Sequence, residues 1–179
     1  MRGSRSFRNV AFLLYIAAVV LAALTIRTFI AEPIRVDGDS MIPTLVNNED
    51  MLVEKMSYWF NDPLRGDIII CYYPGYTESC VKRVIGLPGE TVEIREGVFY
   101  IDGVALDESP YWDGVIIGDM SPVTVGAREV FVVGDNRNGS KDSRNPSVGC
   151  IPYADVVGRV VAVVYPFELT RSFSQVIYP

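Results

Sequence analysis

The sequence predicts a mostly β protein, with a single N-terminal transmembrane helix followed by an antiparallel β-sheet that curls into a barrel-like domain. Three observations predict it. Three arginines near the N-terminus precede a long apolar stretch. Short apolar or alternating segments rich in Val, Ile and Tyr then recur between turn signals. No later segment has the length and period of a long amphipathic helix. The 179 residues suffice for one compact domain plus an anchor, placed at 1–31 and 32–179.

The elements follow in order. Arg2, Arg5 and Arg8 stand with no acid among them, and residues 10–26 hold no charge. This run is at the short end for a membrane span, but a snorkelling Arg27 lets Phe29 and Ile30 lengthen it. The competing reading, a cleaved signal peptide, lacks a small-x-small pair after the run. A retained anchor leaves the basic N-terminus in the cytoplasm and the domain outside. Strands are expected at 51–53, 67–73, 81–85, 91–95, 98–101, 130–133 and 158–165. Glu96-Gly97 and Asp102-Gly103 read as hairpin turns. Residues 107–126, with Gly, Pro and Ser, read as a long connection or peripheral flap. Tyr58-Trp59-Phe60 reads as an interfacial aromatic anchor or as hairpin packing.

Composition restricts the chemistry. A net charge of −6 argues against a nucleic-acid partner. The chain has no histidine, which excludes a Ser-His-Asp triad. The three cysteines and scattered acids show no metal-ligand spacing, so neither metal nor cofactor is expected. Ser40, in the turn Gly38-Asp39-Ser40-Met41-Ile42-Pro43-Thr44-Leu45, is a candidate nucleophile that needs a base, and lysine is the remaining choice. Lys55, beside Glu54 at a strand end, is expected to be exposed, and Lys141, in a polar loop, hydrated. Lys82 stands within the apolar strand Cys80-Val81-Lys82-Arg83-Val84-Ile85. Alternation lets only one of Lys82 and Arg83 face the core. Lys82 is then either a desolvated base, at a cost of about 2.7 kcal/mol for roughly two pKa units, or a snorkelling edge residue.

Together these motifs resemble the ordered boxes of the type I signal peptidases, membrane-anchored serine proteases with a Ser/Lys dyad. The boxes are the Ser40 turn, Arg65-Gly66-Asp67-Ile68, Val81-Lys82-Arg83-Val84-Ile85-Gly86-Leu87-Pro88-Gly89-Glu90, and Gly134-Asp135-Asn136-Arg137-Asn138-Gly139-Ser140-Lys141-Asp142-Ser143-Arg144. The resemblance implies Ser40 as nucleophile, Lys82 as general base and Ser140 as the hydroxyl that orients the base. Asp142 is a structural brace pairing with Arg144 or Arg83. The oxyanion hole would use the Ser40 backbone N–H and the Gly38 region, where some members carry a serine. Ile34, Val36, Met41, Leu45 and Val81 match the substrate-pocket segments, with ordinary core packing as the alternative. The implied partners are secretory preproteins, cut after small residues in an Ala-x-Ala-like pattern, and membrane lipid. The implied location is the bacterial cytoplasmic membrane. Two other readings are another Ser/Lys protease, either a specialised pilin-processing peptidase or a self-cleaving repressor type that the anchor and the acidic balance count against, and a catalytically silent anchored homologue binding secretion partners. On an oxidising side, Cys71 and Cys80 either close a hairpin disulfide, leaving Cys150 unpaired, or stay free.

Overall fold

The uncharged stretch is helical because Leu, Ala, Val and Ile leave nothing for a helix to compete with along its length. The structure, a computed structural model, describes residues 3–174; Arg2 and the last five residues of the expected domain lie outside the described residues. Helix α1 (Gly3–Thr25) continues into one wider π turn (Ile26–Ile30) and then directly into strand β1 (Ala31–Arg35). Arg8–Ile30, 23 residues with none buried, is long and apolar enough to cross a membrane. Arg27 lies on its exposed end, 3.9 Å from Glu32.

The strands are β2 (Asp50–Glu54), β3 (Ile68–Tyr72), β4 (Ser79–Gly86), β5 (Thr91–Arg95), β6 (Val98–Ile101), β7 (Val104–Ala105), β8 (Met120–Thr124), β9 (Glu129–Val133), β10 (Ile151–Pro152), β11 (Val156–Tyr165) and β12 (Arg171–Ser172). A one-turn helix, α2 (Ser57–Phe60), follows β2. All pairings are antiparallel. One 8-stranded sheet runs β1-β2-β11-β3-β4-β9-β10 with β12 on β11, and a 4-stranded sheet runs β7-β6-β5-β8. Register shifts along β11 and between β4 and β9 bend the larger sheet, as extra residues on one strand of a pair do. Glu96 and Gly97, and Asp102 and Gly103, all have positive φ, the geometry of tight hairpin turns.

The apolar run Ile68-Ile69-Ile70-Cys71 is continuous because β3 is covered on both faces. Ile68 and Ile70 join one core with Met51, Val53, Val160 and Val163, while Ile69 and Cys71 join another with Val84, Val130 and Val132. A third core, around Phe99 and Phe131, glues the smaller sheet to the end of β4 and to β9. Residues 107–126 are more than a peripheral connection: they contain β8, Ile116 is buried in the third core, and buried Glu108 binds Arg137 at 2.6 Å. Lys55 also departs from expectation. Its side chain is 17% exposed and binds Glu32 at 2.9 Å, and its N–H donates to the Ile30 carbonyl at 2.9 Å, tying the end of β2 to the end of the apolar span. Trp59 on α2 meets Phe29 edge-on, and Tyr58 donates to buried Asp67 at 2.8 Å.

Candidate active site

Ser40 is carried by a loop between β1 and β2 that is closed at its base. The Val36 N–H donates to the Glu49 carbonyl at 2.8 Å and the Asn48 N–H to the Val36 carbonyl at 3.0 Å. Met41 and Leu45, related by one helical turn, drive into the core and are fully buried. Glu49 receives both Arg171 guanidinium nitrogens at 2.6 and 2.8 Å, and Arg171 also donates to the Thr44 carbonyl at 2.7 Å. The hydrogen bonds from Arg171 to the Glu49 carboxylate hold it below the ordinary carboxylate range. The chain therefore anchors the serine loop from below with apolar side chains and from the side with a strand-borne arginine.

Lys82, on β4, is 3% exposed and donates from Nζ to Ser40 Oγ at 2.9 Å and to the Val81 carbonyl at 2.8 Å. Desolvation lowers its pKa, opposed in order by Cys80, Cys71, Asp142 and Asp135. Both carboxylates are held by arginines. Asp142 accepts from Arg144 at 2.7 and 2.8 Å and from the Gly134 N–H at 2.9 Å. Arg83 binds Asp135 at 2.6 and 2.8 Å, donates to the Gly66 carbonyl and stacks over Tyr111 at 4.0 Å. Arg83 thus braces a carboxylate other than Asp142. Asp135 was missed by sequence reasoning; its signal is its place beside Gly134 in the last box.

The last box is clamped onto the serine loop. The Asn136 N–H donates to the Ser40 carbonyl at 3.0 Å and its side-chain amide to the Asp39 carbonyl at 3.1 Å. Gly134 sits where a Cβ would fall 2.3 Å from both the Ser40 carbonyl and Ser140 Oγ, so only glycine permits this approach. Ser140 donates to the Lys141 carbonyl at 3.4 Å; among the described residues no hydrogen bond joins it to Lys82, whose other acceptor is the Val81 carbonyl. The Gly38 N–H is committed to Asn47 Oδ1 at 3.1 Å. Among the described residues the Ser40 N–H has no partner.

A cavity of about 460 Å³ runs between β1 and β4, next to Lys82 in sequence, bounded by Ile34, Arg35 and Asp37 on one side and Ser79, Cys80 and Val81 on the other, over Met51 and Ile70. β1 is a sheet edge, and β9 pairs only with the far half of β4. Two strand segments with unpaired backbone groups therefore border the groove, a template for an extended peptide. Ile34 and Val81 line it. Val36, Met41 and Leu45 do not; they are core residues that hold the serine loop. Met51 and Ile70 form its floor.

Arg65-Gly66-Asp67 is structural, with Arg65 bound to Glu90 at 2.5 and 3.0 Å and Asp67 buried. Lys141 is exposed and donates to the Tyr76 hydroxyl at 2.9 Å.

Comparison with known proteins adds a family model described as "Signal peptidase, peptidase S26", which matches residues 9–165. "Signal peptidase I" of Leptolyngbya laminosa is 42% identical over 155 residues, covering 82% of this chain and 75% of that protein. "Signal peptidase I S" of Bacillus subtilis (strain 168) is 40% identical over 168 residues, covering 88% of this chain and 89% of that protein. The crystal structure of a signal peptidase I from Enterococcus faecalis V583 aligns with TM-score 0.48 and 35% identity, over 55% of this chain and 97% of that one.

Proposed function

This chain belongs to the signal peptidase family, peptidase S26, and we propose on that premise that it is a membrane-anchored serine endopeptidase that removes signal peptides from secretory preproteins. One observation carries the reading: a buried lysine whose amine lies 2.9 Å from a serine hydroxyl. In its neutral form Lys82 keeps one N–H on the Val81 carbonyl and turns its lone pair to the Ser40 hydroxyl. It takes that proton as Ser40 Oγ attacks the scissile carbonyl, then delivers it to the leaving amine. Water, deprotonated by the same amine, hydrolyses the acyl-enzyme. The Ser40 N–H is the first oxyanion donor. The second positioning role goes to Ser140, whose long bond to the Lys141 carbonyl holds it only weakly away from Lys82.

The preprotein adds as an extended strand between β1 and β4. Its side chains would lie along the apolar strip of Ile34, Val81, Met51 and Ile70, and the family resemblance supports an Ala-x-Ala-like site there. In this reading the N-terminus lies in the cytoplasm, the Arg8–Ile30 span among membrane lipid and the dyad at the outer face of the bacterial cytoplasmic membrane, a reading supported by the apolar helix and the arginines before it. No cofactor enters any step.

The test is cleavage of a preprotein bearing an Ala-x-Ala site by the detergent-solubilised protein, with Lys82→Met beside it and product N-termini read by mass spectrometry. Cleavage after the small residue by wild type alone is expected. Cleavage by both removes Lys82 as base; cleavage by neither removes the peptidase reading.

A further inference from the structure

Cys71 and Cys80 are direct cross-strand partners on β3 and β4, with their sulfurs 3.6 Å apart and unbonded. Residues two apart on a strand share a face, so Cys80 and Lys82 look the same way. Cys71 is fully buried, whereas Cys80 is only partly so and donates to the Cys71 carbonyl at 3.4 Å. We infer that Cys71 and Cys80 form a reversible redox site that takes a disulfide as oxidant and controls the charge on Lys82. The inference rests on the proposed role of Lys82 as base.

The two thiols differ in the way such a site requires. Hydrogen bonding from Cys71 and the nearby Lys82 charge outweigh burial and Asp142, lowering the Cys80 pKa to about 7. The same hydrogen bond, with burial, pushes Cys71 up. Cys80 is therefore the attacking thiolate and Cys71 the resolving thiol. Cys80 sulfur attacks one sulfur of the oxidant, forming a mixed disulfide and releasing one thiolate. Cys71 then gives up its proton and attacks the Cys80 sulfur, releasing the second thiolate. The cysteines lose two electrons, the oxidant gains them, and the two cysteine protons end on its two thiols.

The charged groups that act on Lys82 are Cys80 two residues back on its own strand, Cys71 across from Cys80 on β3, and Asp142 and Asp135 on the clamping box. The carboxylates have Arg144 and Arg83 against them, which leaves the Cys80 thiolate as the largest charge favouring the ammonium. Bridging the cysteines removes that charge. The Lys82 pKa falls, and neutral amine is present at lower pH.

The native chain in detergent is treated with glutathione disulfide or with dithiothreitol, then peptide-mapped, alkylated with iodoacetamide across pH and assayed on the preprotein. A Cys71–Cys80 bridge that dithiothreitol reverses is expected. Alkylation of Cys80 in the reduced chain should have its half-point near 7 and move to higher pH in Lys82→Met. The rising limb of the pH–rate profile should move down by about half a unit or more on oxidation. An unmodified Cys80, a persistent glutathione adduct, pairing with Cys150, or a bridge that leaves the limb in place would overturn the inference. Mapping and alkylation need no activity, so a chain that cuts nothing sinks the peptidase reading while these two still decide the redox site.

Discussion

As the proposed base, Lys82 must be buried enough to lose its proton and held well enough to take one from Ser40, and the two demands conflict with stability. A lysine whose folded pKa is lowered releases its proton in the native state while the unfolded chain still binds it. Stability therefore falls as pH drops from the ordinary lysine value towards the folded one, and it stays reduced at neutral pH. Each unit of depression costs about 1.4 kcal/mol, so Lys82→Met should abolish turnover yet stabilise the fold by about 1 kcal/mol or more; a lowered melting temperature would contradict this account of the burial. The same depression predicts that activity rises with pH through a limb below the ordinary lysine range, and a limb at that ordinary value would remove the desolvation argument. For Ser140→Ala, turnover should fall with KM and melting temperature unchanged. Unchanged turnover would give the orienting role to the Val81 carbonyl alone, the acceptor that the geometry already shows.

At the scale of elements, the site is the meeting of a strand end with a loop. β9 ends at Val133, and Gly134 lets the following box lie against the Ser40 carbonyl, where a Cβ would be 2.3 Å away. Gly134→Ala should displace the serine loop, cutting kcat/KM by about 100-fold, as displacements near 1 Å do. A variant with full activity would show that the clamp has slack. Elements set by local pattern were legible in the sequence: β5 and β6 with their Asp-Gly and Glu-Gly turns, and β3 as a doubly covered strand. β8 was not, since Met120-Ser121-Pro122-Val123-Thr124 carries a proline and no apolar alternation, and only pairing with β5 makes it a strand. β1 was hidden because Ala31-Glu32-Pro33-Ile34-Arg35 follows the anchor without a break. Ser40 and Lys82 were legible from motif, whereas the Arg83–Asp135 pairing and the groove floor depend on which strands neighbour each other, which no local pattern states.

At the scale of the molecule, the anchor and the groove are one continuous arrangement. Only the π turn and β1 separate the apolar helix from the serine loop, and Lys55 fastens the junction through the Ile30 carbonyl and Glu32. Under the proposed function, this short connection keeps Ser40 and Lys82 close to the membrane on the side opposite the N-terminus, where a membrane-held signal peptide would present its end. Orientation must come from charge, because the apolar span is nearly symmetrical in itself: Arg2, Arg5 and Arg8 precede it with no acid, and only Arg27 stands at its far end, 3.9 Å from Glu32. Basic residues flanking a first span hold their side in the cytoplasm. Replacing all three N-terminal arginines with Glu should therefore invert a fraction of the molecules. In right-side-out vesicles, protease added outside should digest the 32–179 domain of the native chain completely and leave a protected fraction in the variant. Complete digestion of both would mean that the translocating domain, rather than the arginines, fixes the topology.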